Sequence, residues 1–286
     1  AMVDAGNVDL TQFKRWYEQP GTPNVSVSEA YADGTLTLQI KQSPAALPNQ
    51  EHQKPFHMPL ALGFVGADGN SVVLKQSDVT SDGAVALRDS GETVLLEAKE
   101  SEHELRINNL PAKPVVSFLR EFSAPVKVSH QRDAEELAFL VEHDTDGFVR
   151  WDAMQTLWME HFDTNINATV DPVATLGGLA KGALALETPE QQMLAATMLA
   201  VPNENYLFEQ LRGFDVDALL DARDAAVENA AQAHVQTWEA LVAMHDSGQA
   251  YQADASGMAR RALGNTAFSY LAKRQTGAVL EELLQT

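Results

Sequence analysis

The string of residues 103–107 begins like a zinc-binding motif. On a helix, the pattern His-Glu-x-x-His brings two imidazoles to one face, because positions i and i+4 are neighbours there. Here His103 and Glu104 are followed by Ile107 at the position of the second histidine. The surrounding sequence is strand-like, and a strand would hold positions i and i+4 too far apart. We therefore interpret this string as an exposed polar strand without a metal.

A second string, residues 142–147, resembles the start of a calcium-binding loop. It has acidic residues at loop positions 1, 3 and 5 and a glycine at position 6. However, position 1 is Glu142 instead of aspartate, and position 12, where a calcium loop has its bidentate glutamate, is Ala153. Without that ligand the strongest chelating group is missing. We interpret the string as a solvated acidic turn between two helices.

Other patterns typical of catalytic sites are incomplete or absent from the sequence. Residues 177–182 are rich in glycine, but their spacing differs from a phosphate-binding loop and no Ser or Thr follows Lys181. The sequence has no Gly-x-Ser-x-Gly elbow and no cysteine. Trp151 and Trp158, at helical spacing, are expected in a core and not in a ligand platform. We therefore predict no catalytic, cofactor-binding or metal-binding residues.

Composition excludes further classes of function. The chain of 286 residues has 20 Lys and Arg against 40 Asp and Glu, a formal net charge of −20. Nucleic acids and anionic membrane surfaces attract clusters of basic residues, so neither is expected as a partner. No apolar run reaches the roughly 18 residues that a membrane-spanning helix needs, and we expect a soluble protein. The lack of cysteine fits a reducing compartment, and we predict a cytoplasmic location.

The first half of the chain is predicted to be a β domain. A short helix precedes it, with Asp9 as its cap, Gln12 at the capping-box position and an end at Pro20-Gly21. The apolar face of this helix consists of Leu10, Phe13, Trp16 and Tyr17. Short strands follow, separated by turn signals, which is typical of an antiparallel, immunoglobulin-like sandwich over residues 23–128. The predicted strands are residues 25–30, 35–40, 56–65, 71–74, 93–97, 105–107 and 115–120.

The second half, residues 129–286, is predicted to be all helical and resembles an α-solenoid. Asp133 with Glu136 forms a capping box for a helix that extends to about residue 143. Asp171-Pro172 and Thr188-Pro189 each place a capping residue before a proline at the first helical position. A long alanine-rich stretch follows over residues 215–245, and another helix covers residues 254–274. Helix pairs with short connections favour a bundle or the first turns of a solenoid.

Several strings of the sequence resemble the bacterial aminopeptidase N family, which are zinc gluzincins. FKRWYEQPGTP (13–23) is similar to the exit from that family's catalytic domain, and the Val25-Ser26-Val27 that follows is similar to the first strand of its sandwich. KPFHMP (54–59), LREFSAPV (119–126) and DGFVRWDA (146–153) follow in the family's order. RALGN (261–265) is similar to a later helix, with Gly264 where the family has a basic residue. The resemblance extends from about residue 4 to the end.

The resemblance implies that the chain is a fragment. The family's catalytic domain, with its substrate motif, zinc helix and transition-state tyrosine, would precede it, so no functional residue carries over to these positions. Residues 1–22 would then be a linker helix from the end of that missing domain. Residues 129–286 would be the first part of the helical C-terminal domain. The parent would use zinc-activated water to remove N-terminal residues from peptide substrates. The fragment itself would bind no zinc, and its partner would be the catalytic domain in cis.

The alternative is a self-contained binding module, in which the sandwich and the helices recruit a protein partner. The upstream open reading frame distinguishes the two, because only a fragment would follow a zinc motif. The fragment hypothesis predicts that Trp16 and Tyr17 stay packed without the catalytic domain. It also predicts an exposed apolar surface near the C-terminal end, formed by Ala278, Leu280, Leu283 and Leu284.

Overall fold

The first half of the chain forms a two-layer β-sandwich in the computed structural model, which describes residues 9–45, 53–245 and 251–274. Within these residues nine strands are present, and together they confirm the predicted sandwich. They are β1 (Asn24–Ala32), β2 (Thr35–Ser43), β3 (Met58–Val65), β4 (Val79–Ser81), β5 (Ala84–Arg88), β6 (Thr93–Ala98), β7 (Glu102–Ile107), β8 (Val115–Phe118) and β9 (Lys127–His130).

The strands form two sheets. One has the order β4-β7-β2-β1-β9, and the other has the order β5-β6-β3-β8. Every strand pair is antiparallel except β1 and β9, which run parallel. The parallel pair arises because the last strand returns along the edge of the sheet beside the first one. The prediction of an antiparallel sandwich therefore holds for all strand pairs but this one.

The core of the sandwich follows from the alternation of apolar residues along its central strands. On β2, Leu36, Leu38 and Ile40 are at most 2% exposed, and the residues between them are half-buried. Leu36 pairs with Ile107, and Leu38 pairs with Leu105, on the neighbouring β7. A fully buried side chain of this size contributes about 1.5–3 kcal/mol relative to an exposed one. The period of two in the sequence thus sets which face of the sheet is buried.

Two parts of the strand prediction are wrong. Residues 71–74 do not form a strand; only an isolated bridge joins Ser71 to Val65. In addition, β4, β5 and β9 were not predicted. All three lie at the edge of a sheet, and much of their surface is exposed. Since an edge strand buries few residues, its sequence carries only a weak apolar pattern.

The opening helix is shorter than predicted. A turn at residues 11–14 leads into a single helical turn, α1 (Arg15–Glu18). The Asp9 carboxylate accepts the N–H of Thr11 at 2.8 Å. The side chain of Gln12 does not complete a capping box, because it donates to the carbonyl oxygens of Pro55 and Lys99. The hydrogen bonds of this segment to the sandwich therefore fix its position more than its single helical turn does.

The prediction for the two aromatic residues of α1 is half correct. The indole of Trp16 packs on Phe56, with ring centroids 4.6 Å apart, and donates its N–H to the carbonyl of His57 at 2.9 Å. Tyr17, by contrast, is 85% exposed. Consecutive helical residues point about 100° apart, so a single turn presents only one of them to the sandwich.

The second half is helical, as predicted. The helices among the described residues are α2 (Ala134–His143), α3 (Gly147–Phe162), α4 (Pro172–Ala183), α5 (Pro189–Met198), α6 (Glu204–Gln210), α7 (Val216–Ala233), α8 (Val235–His245) and α9 (Ala255–Arg274). The predicted caps are present. Asp171 accepts the N–H of Val173, and Thr188 and Gln191 form a capping box at the start of α5.

The long alanine-rich stretch of residues 215–245 is interrupted in the structure. It forms two helices, α7 and α8, which are separated at His234 (φ −123°, ψ 25°). Beyond this break, Trp238 of α8 stacks on Tyr270 of α9 with ring centroids 4.3 Å apart. The hydroxyl of Tyr270 donates to the carbonyl oxygen of Leu199 at 2.6 Å. These contacts pack the last two helices onto the end of α5.

The contacts divide the chain into two compact units. One comprises Ala1–Glu136 with His143–Val149, and the other comprises Leu137–Glu142 with Arg150–Thr286. In the part of the chain that the structure describes, no helix combines the length and the apolar character that crossing a membrane requires. The predicted apolar surface at residues 278–284 lies outside the described residues.

Candidate functional site

His103, the start of the incomplete zinc motif, lies on β7 and is buried, with 4% of its surface exposed. Its Nε2 accepts the backbone N–H groups of Lys99 and Glu100, at 3.0 and 3.1 Å. Nδ1 must then carry the ring proton, which it donates to a carboxylate oxygen of Asp82 at 2.9 Å. The strand is confirmed, but the expectation that its histidine is exposed is wrong. Because both ring nitrogens are engaged, this imidazole has no lone pair left for a metal.

The acidic turn at residues 142–147 was predicted to be solvated, and this is wrong for both of its aspartates. The side chain of Asp144 is 1% exposed, and its Oδ1 accepts the N–H of Asp146 at 2.9 Å. Asp146 caps α3, because its Oδ1 accepts the N–H of Val149 at 2.9 Å. Its other oxygen accepts the N–H of Glu121 at 2.9 Å. Protein donors therefore hold three of the four carboxylate oxygens of these two aspartates.

The guanidinium of Arg120 explains why these carboxylates are buried. Its Nη2 lies 3.5 Å from Asp144 and donates to the hydroxyl of Thr145, while Nη1 donates to Thr93 at 2.9 Å. Gly63 leaves room for it, since a Cβ there would lie 2.6 Å from Nη1. Burial raises the pKa of Asp144, whereas the N–H of Asp146 and the charge of Arg120 act in the opposite direction. We call these residues the Arg120 cluster.

The backbone around Arg120 is strained. Leu119, Glu121 and Phe122 all have positive φ, at 66°, 58° and 50°. Such left-handed residues other than glycine cost about 1–3 kcal/mol each and persist only when their surroundings enforce them. The hydrogen bonds of the Arg120 cluster provide that constraint. Nothing in the local sequence indicates this role, because the partners of Arg120 lie 24 to 28 residues away along the chain.

A second buried ionic cluster lies at the edge of the sandwich. His130 on β9 donates its Nε2–H to Glu29 on β1 at 2.6 Å. Lys113 lies 3.3 Å from the other oxygen of Glu29 and 2.8 Å from Glu136. Burial acts to raise the pKa of Glu29, but the hydrogen bond and charge of His130, with the charge of Lys113, lower it below its usual value. The cluster joins the two strands of the parallel pair.

The glycine-rich string of residues 177–182 lies inside α4 and not in a loop. Gly177 permits close packing, because a Cβ there would lie 2.1 Å from the ring of His234. Trp158 is fully buried and stacks on Phe162 at 5.6 Å. Trp158 is therefore part of the core, as predicted, while Trp151 is half-buried.

The helical unit contains a groove of about 630 Å³. It lies at the C-terminal ends of α3 and α7 and at the N-terminal end of α4. The residues that line it are His161, Asp171, Val173, Ala226, Asn229, Gln232 and Ala233. No pattern in the sequence indicates this groove, because its residues come from three separate segments without a common motif.

The described residues do not fit a zinc centre. No three of their His, Asp and Glu side chains approach one another closely enough to hold a metal ion. Most polar atoms of the buried carboxylates and imidazoles described above are instead paired with protein donors and acceptors, whereas Asp144 Oδ2 and His130 Nδ1 have no hydrogen-bond partner in the described part of the chain. The hydrogen bonds and ion pairs of the Arg120 cluster and of the cluster around Glu29 and His130 support a structural role for both.

Comparisons with known proteins give the family. The model of an Ig-like domain of unknown function, DUF3458, matches residues 21–131. The model of an ARM-repeat domain of unknown function, DUF3458_C, matches residues 134–286, which is more than half of the chain. These two descriptions agree with the sandwich and the helices seen in the structure.

Curated relatives carry the name aminopeptidase N. The Escherichia coli (strain K12) protein is 30% identical over 284 residues, which cover 96% of this chain and 31% of that protein. The Haemophilus influenzae protein is 28% identical and the Caulobacter vibrioides protein 32%, over 97% and 92% of this chain. These matches cover 31% and 29% of the two relatives. The chain thus spans about a third of the length of the relatives that it matches.

Among solved structures, the aminopeptidase A of Legionella pneumophila in complex with aspartic acid matches with a TM-score of 0.74. The match covers 98% of this chain and 30% of that one, at 19% identity, and supports the fold alone. The resemblance to aminopeptidase N is confirmed by the curated relatives. The chain therefore belongs to the DUF3458_C family of ARM-repeat domains, here joined to the Ig-like DUF3458 domain as in the proteins named aminopeptidase N.

Proposed function

We propose that this chain is the non-catalytic part of a zinc aminopeptidase that removes N-terminal residues from peptides. The β-sandwich would act as a spacer, and the helices would form part of the cover over the active-site chamber. The observation that carries this proposal is the match to proteins named aminopeptidase N along 96% of the chain but only 31% of the E. coli relative. The remaining two-thirds of such a protein has room for a catalytic domain.

The chemistry of the described residues supports a non-catalytic role for this chain, with the catalytic groups in another domain of the parent. A zinc aminopeptidase needs metal ligands, a general base and a group that binds the substrate's ammonium. Among the described residues, no three His, Asp or Glu side chains lie close enough together to act as zinc ligands. When bound, zinc would supply the activated water, and its ligands would belong to the parent's catalytic domain. The residues of this chain would position and enclose that domain, which would be their partner in cis.

The proposed boundaries are residues 1–22 for the linker helix, 23–128 for the sandwich and 129–286 for the first part of the helical domain. The contacts of Trp16 with Phe56 and His57 support a linker helix that is attached to the sandwich. The absence of cysteine supports a reducing, cytoplasmic location.

The test compares this chain with the natural polypeptide that contains it. Both are purified and assayed with alanine p-nitroanilide, and their zinc content is measured. We expect hydrolysis and about one zinc per molecule for the natural polypeptide, and neither for residues 1–286 alone. Hydrolysis or stoichiometric zinc in the isolated chain would overturn the proposal. A natural polypeptide without activity would favour the protein-binding module instead.

A further inference from the structure

The groove in the helical unit lies beside the C-terminal ends of two helices. His161 is in the last turn of α3, and Gln232 is in the last turn of α7. The last carbonyl groups of a helix have no partner within it and carry a partial negative charge. Two such ends therefore lie beside the same groove. Both favour a cation over an anion.

A carboxylate adds a full negative charge to this groove. Asp171 lines it, and one of its oxygens accepts the N–H of Val173 at 2.9 Å. This cap fixes the position of the carboxylate and balances the positive end of α4. No lysine or arginine is among the described residues that line the groove. Residues 129–286 carry 9 basic and 24 acidic residues, so the surroundings also favour positive charge.

The rest of the lining suits a short aliphatic amine. Val173 and Ala226 are buried and give the groove an apolar floor. Asn229 and Gln232 are exposed, and their amide oxygens are acceptors for an ammonium group. His234 fills the space beside Gly177 and donates to the carbonyl of Val173 at 3.0 Å, which fixes the floor. The volume of about 630 Å³ is within the usual range for small-molecule sites.

We propose that this groove binds a primary alkylammonium group, with Asp171 as its counter-ion and the negative ends of two helix dipoles beside it. A primary ammonium group on an aliphatic carbon is present both in a free diamine and at the N-terminus of a short peptide. The inference does not depend on the proposed function, because it rests only on the lining residues of the groove and on no part of an aminopeptidase site.

The experiment is isothermal titration of the 286-residue chain with 1,4-diaminobutane, and separately with dialanine amide. Butane-1,4-diol, which has the same chain length without charge, is the neutral control. The test variant is Asp171→Asn, because asparagine keeps the helix cap and removes the charge. The matched control is Asp215→Asn, since Asp215 caps α7 in the same way, at 2.9 Å from the N–H of Ala218, and does not line the groove.

We expect saturable binding of at least one amine and none of the diol. Asp171→Asn should weaken that binding about fivefold or more, and Asp215→Asn less than about twofold, because salt screens distant charges. Binding of the diamine alone would assign the site to free amines, and binding of the dipeptide alone would assign it to peptide ends. Absence of saturable binding would overturn the proposal. Equal losses of affinity in the two variants would also overturn it, because they would mean that the acidic chain attracts the amine only diffusely.

Discussion

Replacing Arg120 with methionine tests whether the Arg120 cluster holds the first unit together. Methionine keeps an unbranched, flexible side chain beside Gly63 but removes the guanidinium. The hydrogen bonds to the carbonyl of Glu92 and the hydroxyl of Thr93 are lost, at 3.1 and 2.9 Å. Asp144, with a side chain only 1% exposed, loses its counter-charge.

The expected loss is large because a buried charge remains without a partner. Removing one member of a buried ion pair costs about 3–5 kcal/mol. We therefore expect the unfolding free energy of the first unit to fall by that amount in Arg120→Met. The matched control is Arg106→Met on the surface of the same sandwich. Arg106 lies 2.7 Å from Glu104, but their side chains are 52% and 35% exposed, so its loss should cost less than about 1 kcal/mol.

Hydrogen exchange measured by mass spectrometry is the assay, because it reports each unit separately. The slowest amides of β2 and β3 give the opening free energy of the sandwich. In the double variant Arg120→Met/Asp144→Asn, asparagine keeps an acceptor for the N–H of residue 146 and removes the unpaired charge. We expect it to recover more than about 1 kcal/mol. If Arg120→Met costs no more than Arg106→Met, the reasoning about the buried pair is wrong.

Two further predictions concern the helical packing and the ionic edge of the sandwich. Gly178→Ala should stabilise α4 by about 0.5–1 kcal/mol, because nothing lies within 4 Å of the new Cβ. Gly177→Ala should destabilise the helical unit, because the new Cβ would collide with the ring of His234. Thermal unfolding of both variants checks this prediction, and equal shifts in their melting temperatures would contradict it. Glu29→Gln should be less stable than the wild type above pH 4.5, the ordinary pKa of glutamate, because the pKa of Glu29 is lowered in the folded state. The difference should shrink as the pH falls through the folded pKa, and urea unfolding at several pH values would contradict the reasoning if the difference stayed constant.

Local signals in the sequence predicted the elements that depend on local physics. The period of two at residues 35–40 became β2, and the capping pairs before Pro172 and Pro189 became the starts of α4 and α5. A cap or an alternating strand is encoded within a few residues, so one sequence is enough to find it.

The polar clusters could not be predicted in the same way. Asp144 and Asp146 look like a solvated turn because their partners, Arg120 and the N–H of Glu121, lie about two dozen residues earlier in the chain. His103 was likewise expected at the surface, and only its pairing with Asp82 makes its burial favourable. Burial of a charged group depends on contacts that form only after folding, and no local pattern carries that information.

The most direct test of the account is the size of the natural polypeptide that contains these residues. An antibody raised against the purified chain is used to detect that polypeptide in extracts of cells that express the gene, and its mass is measured after capture. Because the chain covers 31% of the E. coli relative, we predict a polypeptide about three times as long as these 286 residues. A native polypeptide of 286 residues would contradict the proposal that this sandwich and these helices serve a larger aminopeptidase.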